Sequence, residues 1–105
     1  MGQPTRHEVI EHIVTDTTRI IAAVAAQSWL AVAHEIAARA PWMKSLEAFG
    51  FDGLTTLERT QLQQVQAHNQ QIYPMIAERC RSVAHHLMNK NNQERLARTY
   101  RKNTV

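Results

Sequence analysis

The stretch LQQVQAHNQQIYPMIAERCRSVAHHL, residues 62–87, decides the fold class. Leu62, Val65, Asn69, Ile72, Ile76, Cys80, Val83 and Leu87 form a seam spaced 3, 4, 3, 4, 4, 3 and 4. Steps of three and four follow the turn of an α-helix, whereas a half-buried strand alternates with period two. Beside the seam lies a polar face of glutamines (Gln61, Gln63, Gln64, Gln66, Gln70, Gln71), so the pattern is nearly a heptad. Pro74 falls inside it. An interior proline removes a backbone hydrogen bond and clashes with the preceding turn, at about 3 kcal/mol, so a kink or a break is expected near Gln70–Tyr73.

Working outward, Thr55-x-x-Glu58 has the form of a capping box and marks the helix start, unless Thr56 is itself the cap. Asn89-Lys90-Asn91-Asn92 interrupts the other end. The expectation is a helix over 55–89, then a basic helix or tail over 93–102. Asp52-Gly53 reads as a turn. Pro41 suits the first turn of a short helix over 41–48, which Gly50 closes in a left-handed conformation. Before it, residues 5–39 read as one long helix. Val9, Ile10, Ile13, Val14, Thr17, Ile20, Ile21 and Val24 follow steps of three and four, with Leu30, Ala33, Ile36, Ala37 and Ala40 continuing them; Thr15–Thr18 either bends this helix or starts a second one, with Thr15 or Asp16 as N-cap.

These elements imply an all-α fold in a single domain, 1–105: a long-helix antiparallel hairpin with a short connecting helix. Such a hairpin leaves much of its apolar stripe wet, so a homodimer completing a bundle is expected. Only three glycines and three prolines agree with helices rather than many short strands. Cys80, the single cysteine, has no internal disulfide partner and fits a reducing cytoplasm. Pro4, Arg6, His7 and Glu8 precede any apolar run, and the apolar stretch IIAAVAA is too short to span a bilayer, so neither a secretory leader nor a membrane segment is expected.

Several motifs invite chemistry. His7-Glu8-Val9-Ile10-Glu11-His12 resembles a zinc-protease signature, but its histidines are five apart rather than four and leave different helix faces. The pairs Glu8/His12 and His7/Glu11 read instead as surface i,i+4 contacts. His85 and His86 are adjacent and diverge by about 100°, and no histidine stands three or four residues after Cys80. Cys80 therefore reads as a small core residue. The chain has no phosphate loop, nucleophile elbow or di-iron Glu-x-x-His pair, so neither an enzyme nor a bound cofactor is expected.

Two features point to binding. Trp42, Phe49 and Phe51 are half of the six aromatic residues and lie within ten positions. They serve either as a plug that seals the hairpin or as a surface kept apolar for another protein. The mixed reading places Phe49 and Leu54 inward and leaves Trp42 and Met43 available. The candidate partner-binding set is Trp29, Trp42, Met43, Leu46, Phe51 and Tyr73. The second feature is charge. Residues 1–78 hold five Lys/Arg against eight Asp/Glu, while residues 79–105 hold seven against Glu94 alone. Arg95, Arg98, Arg101 and Lys102 are candidate nucleic-acid contacts on that basic end. A helix-turn-helix over 41–71 is disfavoured, because its second helix offers one arginine among many glutamines.

Taken together, HEVIEHIV, AAVAAQSWLAVA and APWMKSLEAFGF resemble the small proteobacterial anti-activators of LuxR-type quorum-sensing regulators. The likeness lies in size, helical layout and the general run of the chain. It implies a dimeric helical protein that binds the transcription factor through apolar contacts, blocks its self-association and keeps it off DNA.

Overall fold

Thr5 opens the fold: its hydroxyl accepts from the Glu8 N–H at 3.2 Å and caps α1, Arg6–Ala25. The computed structural model describes the backbone of residues 2–103 and the side chains of residues 2–99. Within those limits the chain is all-α, with α2 spanning Trp29–Phe49 and α3 spanning Thr56–Asn103. None of these helices is long and apolar enough to cross a membrane. By internal contacts the chain divides into two compact units, Met1–Tyr73 and Pro74–Val105, at the proline read as a kink.

In the first unit α1 packs on α2, and the start of α3 joins them. Val9, Ile10 and Ile13 are fully buried and meet Leu46 of α2 and Val65 of α3. Thr17, Ile20 and Val24 continue that buried face along α1, as the steps of three and four predict. α1 runs unbroken through Thr15–Thr18, where the Thr17 and Thr18 hydroxyls donate back to the Ile13 and Val14 carbonyls at 2.7 and 3.0 Å.

The break falls elsewhere, and the long helix over 5–39 is replaced by two helices of similar length. Ser28 N–H donates to the Ala23 carbonyl and Gln27 N–H to Val24, while Gln27 takes φ 55. That is a Schellman motif with glutamine where glycine is usual, so it lacks the usual glycine signal. The restart at Trp29 shifts the phase. Leu30, expected inward, is 87 % exposed, and Ala33, Ala37 and Ala40 are exposed too, whereas Val32, Arg39 and Leu46 are buried.

Pro41 likewise fails to end a helix. It sits exposed inside α2, and the buried Arg39 and Leu46 anchor the helix on either side of it. Gly50 then closes α2 with φ 78, its N–H donating to the Leu46 carbonyl, as its sequence position predicts.

Thr55 and Glu58 form the predicted capping box in reciprocal bonds of 3.1 and 3.0 Å. From there α3 runs 48 residues without the expected stop at Asn89–Asn92. Asparagine costs a helix at most about 0.7 kcal/mol per residue, and two pairs link successive turns here. Asn89 lies 3.2 Å from His85, and Arg95 donates to Asn92 at 3.1 Å. The seam is buried at Val65 and Ile72 but open at Cys80, Val83 and Leu87, so Cys80 is an exposed thiol and not a core residue.

Candidate protein-binding groove

A chiefly apolar groove of about 370 Å³ opens in the first unit where residues of all three helices meet. Ile13, Leu46 and Val65, one from each helix, form its buried floor; Met43, Leu54 and Leu62 are its half-buried walls. Phe51 stands at its lip, 58 % exposed, with Arg59, Gln63 and Gln66 as polar neighbours.

The loop that carries Phe51 is held from both sides. Arg6 donates from Nη1 to the Asp52 carbonyl at 2.6 Å and from Nη2 to that of Gly53 at 3.0 Å. Its Nε meets Glu58 Oε2 at 3.4 Å, so one guanidinium ties α1 to the connector and to the α3 cap. Glu58 is buried. The Thr55 N–H on its carboxylate is the main influence that lowers the Glu58 pKa below the ordinary value of 4.5; burial opposes it, while the Thr55 side chain and Arg6 add to it.

Of the predicted partner-binding residues, the groove brings together Met43, Leu46 and Phe51. Leu46 belongs to the core and presents only its surface as floor. Trp42 is half-buried beside them and stacks on His12, ring centres 4.0 Å apart and 3° from parallel. His12 therefore serves as a cross-helix ring partner for Trp42, while His7 and Glu11 form their i,i+4 pair at 3.0 Å. Phe49, expected inward, is 46 % exposed, although it stands three residues after the buried Leu46. Trp29 is half-buried and does not line the groove.

Tyr73 has another role. Its hydroxyl accepts from Arg39 Nη2 at 2.8 Å, while Arg39 Nη1 donates to Thr17 Oγ1 at 2.9 Å and to Asn69 Oδ1 at 2.8 Å. Asn69 also lines the groove, so this network, built on the buried Arg39, joins all three helices at its edge. Sequence reading missed Arg39, whose only signal was a step of seven from Val32 and from Leu46. In the second unit Arg95 and Arg98 are exposed, and the side chains of Arg101 and Lys102 lie outside the described residues. Compared with known protein families, curated proteins and solved structures, the chain matches none.

Proposed function

We propose that this chain is a cytoplasmic, non-enzymatic regulator that binds another protein: an anti-activator that captures a LuxR-type transcription factor and keeps it from dimerising and reaching DNA. One observation carries the protein-binding part: an exposed phenylalanine, Phe51, on a loop tied down by Arg6, at the lip of an apolar groove. A mobile loop would lose entropy on binding; a held one does not. Covering a phenylalanine side chain is worth about 1.5–3 kcal/mol in full, and more than half of Phe51 is still available. Met43, adaptable in shape, lines the same groove. The transcription-factor part is supported by the resemblance in size and helical layout.

A homodimer belongs to this reading. The outer face of α2, with Leu30, Ala33 and Ala37, is the surface a second copy would cover.

The test uses a LuxR-type regulator bound to its operator in a gel shift. Adding the native chain should release the DNA, and Phe51→Ser should fail to do so while keeping its helical circular dichroism. A Phe51→Ser chain as effective as the native one would sink the groove, and a native chain without effect would sink the choice of partner.

A further inference from the structure

We infer that the partner segment seated in the Phe51 groove is an amphipathic helix with a carboxylate beside its apolar anchors, received by Arg59; this rests on the groove being the protein-binding site.

Arg59 is the one charged residue among the described residues that line the groove. It is exposed, and among the described residues no carboxylate pairs with it. Its sequence neighbour Glu58 is buried and engaged by Arg6 and Thr55. Glu47, beside the floor residue Leu46, does not line the groove. The groove therefore presents aliphatic surface and one unmatched cation. An occupant complementary to both brings leucine-like side chains and a carboxylate.

The lining also selects the backbone form of the occupant. On α3 it runs from Arg59 to Asn69, about 15 Å at 1.5 Å per residue. Its walls on α2 and α3 are helical, so an extended peptide finds no strand edge to pair with. A helix bonds its own backbone and needs only a place for one row of side chains. Anchors at i, i+3 and i+7 reach about 10 Å, which fits within that length. Arg59 stands near the start of α3, close in the chain to the connector that carries Phe51 and Leu54. The partner's carboxylate accordingly lies at the Phe51 end of the groove, beyond its last anchor.

The test is fluorescence anisotropy, with the full chain titrated into labelled helical peptides. The peptides share leucines at i, i+3 and i+7 and carry either glutamate or lysine one turn beyond both ends of that row, so that either direction of binding meets Arg59. The glutamate peptide should bind about threefold more tightly or better, and the gap should close as salt rises. Arg59→Gln should remove the preference and Arg59→Glu should reverse it, while Phe51→Ser should weaken both peptides. Both positions are exposed, and circular dichroism checks that the helices remain. Equal binding of the two peptides would overturn the proposal, as would a preference that Arg59→Glu leaves unchanged or binding of neither peptide. Self-association lost with Phe51→Ser, with neither peptide bound, would give the groove to a second copy. The gel shift keeps the two readings apart: DNA released equally by the native chain and by Arg59→Glu would leave the groove standing and remove the acidic partner.

Discussion

Arg39 donates to the Tyr73 hydroxyl at 2.8 Å from a position only 3 % exposed, and its three acceptors among the described residues are all uncharged oxygens. A buried cation without a carboxylate is costly, and here it is met by hydrogen bonds alone. Arg39→Ala should lower stability by about 3 kcal/mol, through the cavity and the stranded acceptors. Arg39→Met keeps most of the volume, and Thr17 still bonds the Ile13 carbonyl. It should lie within about 1.5 kcal/mol of the native chain. Urea denaturation ranks the two; both lack the guanidinium, so an alanine variant as stable as the methionine variant would mean that the vacated volume contributes little, and a methionine variant far below the native chain would mean that the network contributes much.

Gln27 holds φ 55 at the turn between α1 and α2. The left-handed region costs an L-residue with a Cβ about 1–2 kcal/mol, and glycine gives back part of that through its greater freedom when unfolded. Gln27→Gly should therefore raise stability by about 0.5–1 kcal/mol, and Gln27→Val should lower it. Thermal melts decide the sign.

Glu58 links the α3 cap to Arg6. Its folded pKa is lowered, so its contribution is present in full above 4.5, its ordinary value, and is lost as pH falls through the lower folded value. Stability measured from pH 7 down to pH 3 should show this acid loss, and Glu58→Gln should start less stable and fall less steeply below 4.5. Thr55→Ala, which removes the cap hydroxyl, should cost about 1 kcal/mol near neutral pH.

Much of the fold was legible because one-dimensional periodicity reports burial directly. Val9, Ile10, Ile13, Thr17 and Ile20 follow the steps of a helix and are buried. The Thr55–Glu58 box and Gly50 act through their own backbone and were equally readable. What escaped depended on other parts of the chain. The break at Gln27 has no glycine to announce it, and once it was missed the inward positions Leu30, Ala33, Ala37 and Ala40 were misphased, while Ile36 stayed half-buried. Arg39 was invisible because a buried arginine is acceptable only with Thr17, Asn69 and Tyr73 around it, which are distant in sequence. At the site, Met43 and Phe51 were named from composition, but the grip of Arg6 on the connector is a tertiary fact.

Pro41 lies inside α2 with its ring exposed, so the helix survives a residue that cannot donate to the carbonyl four positions back, that of Ala37. The penalty for an interior proline is about 3 kcal/mol relative to alanine. The packing of Val32, Arg39 and Leu46 outweighs it. Alanine at this position would restore the missing N–H and remove the ring's clash with the preceding turn. It would also loosen the unfolded chain, which offsets up to about 1 kcal/mol of the gain. Pro41→Ala should thus stabilise the first unit by about 1–2 kcal/mol. A destabilised variant in urea titration would mean that Pro41 sets a local bend on which the Met43–Leu46 side of the groove depends, and loss of partner capture in the same variant would identify that bend as functional.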